Sequence, residues 1–129
     1  MTNRNDRIAR LHAIAKERIL MLDGSWGVMI QRKGLEEADY RGERFADYNG
    51  QMQGNNDILC LTRPDLVTEL HDAYFAAGAD ISETNTFSAT VIAQDDYKLD
   101  ADTVRDINFE GAKLGRAAAD RWTEQEPDK

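Results

Sequence analysis

Two short apolar runs, each broken off by a cluster of polar residues, limit what this 129-residue chain can fold into. Ile19-Leu20-Met21-Leu22 ends in Asp23-Gly24-Ser25-Trp26-Gly27, and Ala79-Asp80-Ile81, after Gly78, leads into Glu83-Thr84-Asn85-Thr86-Phe87. Short apolar runs bounded by turn signals predict buried strands, here over 18–23 and 79–84. A carboxylate at the end of such a run is poor core filler, because burying an unpaired charge is costly. In parallel α/β architectures the C-terminal strand ends are where ligands bind. Two such ends predict half of a substrate pocket.

The stretches around these runs read mainly as helices. Ile8, Leu11 and Ile14, with Ala15, share one stripe of a helix over 5–16, and Trp26, Met29 and Ile30 give a short helix over 25–33. From 34 to about 57 no period survives, and four glycines punctuate an acidic segment holding Tyr40, Phe45 and Tyr48. A structureless connection of that length points to a lid or binding loop, and its aromatics can pin it to a surface. Thr62-Arg63-Pro64-Asp65 opens the next helix, with Thr62 as the cap, Asp65 completing a capping box and Pro64 in the first turn. Leu66, Val67, Leu70 and Tyr74 form its buried stripe, and Gly78 ends it.

Ser88 is placed to cap a short helix reaching about Tyr97. Asp100 or Asp102 caps a longer one, with Val104, Ile107, Gly111, Leu114, Ala118 and Trp122 in register. Gly111 and Gly115 each cost that helix about 1 kcal/mol against Ala, which predicts close approach to a neighbouring element. The last residues, 124–129, read as a polar tail after a partial domain over 1–123.

Composition narrows the function classes. The formal net charge is −8, unevenly spread: residues 1–33 hold seven Lys/Arg against three Asp/Glu, and the remainder nine against twenty-one. A chain this acidic repels phosphates, which disfavours nucleic-acid binding. The lone cysteine, Cys60, rules out an internal disulfide or a multi-cysteine zinc site and suits a reducing cytosol. No apolar run approaches the roughly 18 residues of a membrane span, and Lys16, Glu17 and Arg18 interrupt any signal-peptide core. The expected location is the cytoplasm. Cys60 reads as a small buried hydrophobe, and His12 and His71 as surface or core-edge residues.

A strand–helix–strand order makes parallel pairs with right-handed crossovers. Two parallel strands alone leave both edges open. The expected fold class is therefore α/β, the opening section of a (β/α)8 TIM-type barrel, incomplete on its own.

With these residues in view, the chain resembles the N-terminal part of the homocysteine S-methyltransferase domain, and within that family the cobalamin-dependent methionine synthase branch. The stretches that carry the resemblance are Arg18–Gln31, Asp39–Asp47, Gly54–Asp57 and Ala76–Phe87, in that order. The resemblance implies a (β/α)8 barrel binding homocysteine at its strand C-termini, with the substrate sulfur on a zinc held by three cysteines of later strands. Asp23 corresponds to the aspartate that holds the homocysteine ammonium, a role open to a strand-end carboxylate through charge-assisted hydrogen bonds. The competing reading has Asp23 capping the helix that starts near Ser25.

Gly24 and Ser25 would bring backbone N–H groups to the substrate carboxylate. Glu83, Thr84, Asn85 and Thr86 would shape the pocket or fix its loop, contact substrate, or make only the turn. Asn55, Asn56 and Asp57 are expected to fix the long loop rather than touch substrate. The sequence departs from the usual Asp-Gly-Ala-Met-Gly-Thr at Ser25, Trp26 and Val28; the indole changes the shape or rim packing of the pocket and the valine removes a hydroxyl. The complete enzyme implies zinc and cobalamin, with ligands for neither here. The remaining barrel and the folate or cobalamin modules are then expected on another chain, or the chain is an inactive truncation. Betaine- or S-methylmethionine-dependent relatives share the domain. A non-catalytic interaction module is the alternative from a different class.

Overall fold

The computed structural model describes residues 3–127. Its α-helices are α1 (Arg4–Glu17), α2 (Trp26–Gln31), α3 (Glu37–Arg41), α4 (Leu59–Thr62), α5 (Pro64–Ala76), α6 (Val91–Gln94) and α7 (Ala101–Gln125). Single 3-10 turns over Asn56–Ile58 and Asp95–Tyr97 lead into α4 and follow α6.

Local chemistry explains most boundaries. Asn3 caps α1 by accepting from the Asp6 N–H at 3.0 Å, and Asp100 caps α7 by accepting from the Thr103 N–H at 2.7 Å. Pro64 stands in the first turn of α5, and Gly78, at φ +106°, turns the chain out of it. Four expected details differ. The α5 cap is Arg63 without a side-chain bond, because the Thr62 hydroxyl donates back to the Ile58 carbonyl at 3.3 Å and belongs to α4. Thr90, not Ser88, caps α6: the helix starts at Val91, and the Thr90 hydroxyl accepts from the Ala93 N–H at 3.1 Å. The helix expected over 25–33 is confined to Trp26–Gln31, and α7 runs on to Gln125, two residues into the expected tail, of which 128–129 lie outside the described residues.

The two expected strands are present as a pairing but not as strands. Among the described residues the only β-structure is one isolated parallel bridge, Leu22 with Ile81. Three backbone hydrogen bonds hold it: Asp23 N–H to Ile81 O at 3.0 Å, and Asp80 and Ile81 N–H to Met21 O at 2.7 and 3.2 Å. Arg18 forks onto the Asp80 carboxylate at 2.6 and 2.8 Å, and the same carboxylate takes the Met21 N–H, which ends the ladder. Two strands with no flanking strand form a marginal sheet, and Ile19 remains 83% exposed beside it. The α/β expectation thus becomes a helix-rich structure around one parallel contact.

The core lies elsewhere. α4, α5 and α7 pack on one another, with α3 against α4 and α6 against α7. Ile58, Leu59, Val67, Leu70 and Ile107 meet there, and Tyr40, Phe45 and Met52 reach in from the 34–57 segment. That segment is no bare loop, because α3 lies within it. The Arg41 guanidinium binds the Phe45, Tyr48 and Gly50 carbonyls, and the Glu37 carboxylate accepts the Met52 and Gln53 N–H groups at 2.7 and 2.6 Å. The pinning by aromatics is as expected; the organising ion-bonded turns were not. By contrast, α1 buries none of its residues.

Candidate functional site

The parallel bridge sets the register that builds the site. With Leu22 opposite Ile81, Asp23 comes to lie beside Ser82 and Glu83. Asp23 is only 7% exposed. Its Oδ2 accepts from the Ser82 hydroxyl at 2.6 Å and from the Trp26 indole Nε1 at 3.0 Å, and the Glu83 N–H reaches both oxygens at 3.1 Å. No Lys or Arg pairs with it among the described residues. The cap of α2 is Ser25, without a side-chain bond, so Asp23 does not cap that helix. Ser25 itself stands at φ 50°, ψ 36°, a left-handed conformation costing an L-residue about 1–2 kcal/mol.

Behind Asp23 stands His71 of α5. Its Nδ1 lies 2.8 Å from the Ser82 hydroxyl, and its ring meets Trp26 edge-on with centroids 4.6 Å apart. Tyr74 flanks the same indole at 6.2 Å. His71 is fully buried, and its Nε2 is the one buried side-chain nitrogen or oxygen without a hydrogen-bond partner among the described residues. Burial pushes its pKa below the ordinary 6.5, against the opposing pull of Asp23 and Asp72. A surface or core-edge place fits His12, which is exposed, but not His71.

A cavity of about 420 Å³ opens on the other side of Trp26. Of the residues singled out in the sequence, Ser25, Glu83, Thr84, Asn85, Asn55, Asn56 and Asp57 line it; Asp23, Gly24 and Thr86 do not. Its charged lining residues are Asp57, Glu83 and Asp96, all acidic. The walls are tied together by amides. Asn55 and Gln94 exchange side-chain hydrogen bonds at 2.7 and 3.2 Å, and Asn85 donates to the Asn56 carbonyl at 2.8 Å. Thr84 and Thr86 share a hydroxyl contact of 2.6 Å that tightens the turn between them. Burial raises the Asp57 pKa, against the Ser88 N–H that favours its charge.

Residues 20–128 match the family of homocysteine S-methyltransferases. The chain belongs to that family. A solved structure of the homocysteine methyltransferase MmuM from Escherichia coli, in its oxidized form, superposes with a TM-score of 0.68 at 23% identity. The likeness, which is one of fold, covers 92% of this chain and 36% of that one. The chain thus spans about a third of the length of this family relative.

A zinc ion of the kind expected in this family finds no fitting donor set in the described residues. No group of three or more His, Cys, Asp or Glu there could hold a metal ion. The Cys60 Sγ is buried, donates to the Asn85 carbonyl at 3.2 Å, and has its pKa pushed up to about 12, first by burial. Such a thiol is the reverse of a metal-ready thiolate. No helix among the described residues is long and apolar enough to cross a membrane.

Sequence reasoning missed Ser82, His71, Gln94 and Tyr97 as parts of the site. The signal for His71 was present: it stands four residues after Val67 and four before Phe75, on the buried face of α5. Ser82 required the strand register, which no local pattern states.

Proposed function

We propose that this chain carries the amino-acid-binding wall of a methyltransferase that moves a methyl group to homocysteine sulfur, giving methionine. The observation that carries the reading is Asp23, a buried carboxylate with hydrogen bonds but no cationic partner among the described residues. Buried charges are ordinarily paired. An α-ammonium would supply the missing cation and add a charge-assisted hydrogen bond. Gly24 and Ser25 form the turn next to this carboxylate, Glu83 gives it a backbone N–H, Thr84 and Asn85 line the adjoining cavity, and Thr86 braces Thr84. A reducing cytosol fits the lone thiol.

The stretches Arg41–Phe45 and Gly54–Asp57 favour the cobalamin-dependent methionine synthase branch as the source of the methyl group. Homocysteine must react as a thiolate, and this chain's donors are unsuited to the zinc that would stabilise one. The metal and the methyl-donor chemistry are therefore proposed to be supplied by parts of the complete enzyme other than these residues.

Calorimetric titration tests the substrate reading. Wild-type chain should bind L-homocysteine more tightly than 4-sulfanylbutanoate, which lacks only the amino group. Asp23→Asn keeps the shape and loses the charge; a charged hydrogen bond contributes about 1.5–3 kcal/mol, so homocysteine affinity should fall about tenfold or more. The amine-free analogue should bind both proteins alike. Equal affinity of the wild type for the two ligands, or an Asp23→Asn variant with undiminished homocysteine binding, would remove Asp23 from the substrate site.

A further inference from the structure

We propose that His71 is a positioning residue for Asp23, acting through Ser82: a relay from Nδ1–H to hydroxyl to carboxylate occupies Oδ2 and leaves Oδ1 as the face offered to an ammonium. This deepens, and rests on, the substrate reading given above.

The proton inventory fixes the direction of the relay. Ser82 carries one hydroxyl proton and faces three groups, the Asp23 Oδ2 at 2.6 Å, the His71 Nδ1 at 2.8 Å and, at the longer distance of 3.4 Å, the Glu83 carbonyl. A carboxylate can only accept. An oxygen–oxygen contact of 2.6 Å without a proton would be repulsive, and that length is typical of a hydroxyl donating to a carboxylate. The serine proton therefore lies toward Asp23, and Nδ1 must be the donor to Ser82. A neutral ring with its proton on Nδ1 has a bare Nε2. That nitrogen is buried without a partner, and an N–H there would lack an acceptor. An ideal Cβ on Gly115 of α7 would lie 3.5 Å from this Nε2, so the backbone of α7 closes over the ring edge.

The same contacts divide the two oxygens of Asp23. Oδ2 accepts from Ser82, Trp26 and Glu83, whereas Oδ1 accepts only the shared Glu83 N–H. Oδ1 is the oxygen with acceptor capacity to spare. Trp26 is wedged between His71, Tyr74 and Asp23, so the ring that braces the carboxylate also prevents it from rotating.

The test uses the full chain labelled with ¹⁵N-histidine. Long-range ¹H–¹⁵N correlation at pH 7 should show His71 as the neutral Nδ1–H tautomer, the minor form for a free histidine. Ser82→Ala should shift His71 toward the Nε2–H form and weaken L-homocysteine binding about fivefold, with 4-sulfanylbutanoate unaffected; that is the loss of one hydrogen bond. Ser82→Thr, which keeps the hydroxyl, should restore both signals. A wild-type His71 that is protonated on Nε2 at pH 7 would overturn the relay. So would a Ser82→Ala variant that binds homocysteine like the wild type. If the wild type binds no homocysteine at all, the substrate reading fails, and the tautomer and its response to Ser82→Ala decide the relay by themselves.

Discussion

Cys60 shows how completely burial can silence a reactive side chain. It is packed between Asn85 and α7, and the thiolate would have to form without solvent beside the carboxylates of Asp57 and Glu110. Native protein should react with a thiol reagent far more slowly than protein in urea, and the ratio of the two rates is the measurement. Equal rates would show the site to be open. Because the folded pKa lies near 12 and the ordinary value at 9.0, stability from this group is complete below pH 9 and declines as pH rises from 9 toward 12. His71 has the opposite sign. Its folded pKa is lowered, so its contribution is complete above the ordinary 6.5 and is lost as pH falls below that value. Acid unfolding of His71→Phe should start from a lower stability at pH 7 yet show a shallower dependence below pH 6.5. A parallel profile would mean that His71 titrates normally.

At the scale of elements, α7 can come close to its neighbours only where a side chain is missing. An ideal Cβ on Gly111 would stand 2.6 Å from the Thr86 methyl and 3.3 Å from the Cys60 sulfur. Thr86 cannot swing freely, because its hydroxyl is bonded to Thr84. Gly111→Ala gains about 1 kcal/mol of helix propensity and loses about 1–3 kcal/mol to overpacking, for a net loss near 1 kcal/mol. At Gly115 the nearest atoms are 3.4 and 3.5 Å away on the His71 ring, ordinary contact. Gly115→Ala should therefore be neutral or stabilising by up to about 1 kcal/mol. Urea midpoints of the two variants should move in opposite directions, or at least differ by that margin. Equal shifts would mean that α7 does not need its close approach at Gly111.

The whole molecule leaves much apolar surface uncovered. Ile19, Phe87 and Ile92 are 83%, 100% and 88% exposed, and α1 has no buried residue. The parallel bridge has no strand beyond it among the described residues. Exposed apolar patches and open edges drive association. The isolated chain should therefore sediment as a concentration-dependent mixture and unfold over a broad thermal range. A clean monomer with a sharp, cooperative transition would contradict this.

What the sequence determined by itself were features set within a few residues of one another. Asn3 and Asp100 are cap donors' partners because their side chains reach N–H groups three positions on. Pro64 and Gly78 bound α5 through their own φ preferences. The burial of Cys60 and the close approach at Gly111 were legible from residue type, since a lone thiol behaves as a small hydrophobe and a mid-helix glycine costs propensity, while the parallel pairing of the two apolar runs followed from the strand–helix–strand order. Tertiary structure decided what depends on register and on partners far along the chain. Ser82 reaches Asp23 across 59 positions, and a slip of one residue would turn it to the other face. The same register set the length of the strands: Asp80 and Arg18 close off a ladder that the apolar pattern alone would have continued. Whether a histidine on an apolar stripe lies at the rim or under a carboxylate is likewise a matter of what α5 packs against. Local preferences act over one helical turn, whereas a buried hydrogen-bond partner is chosen by the folded backbone.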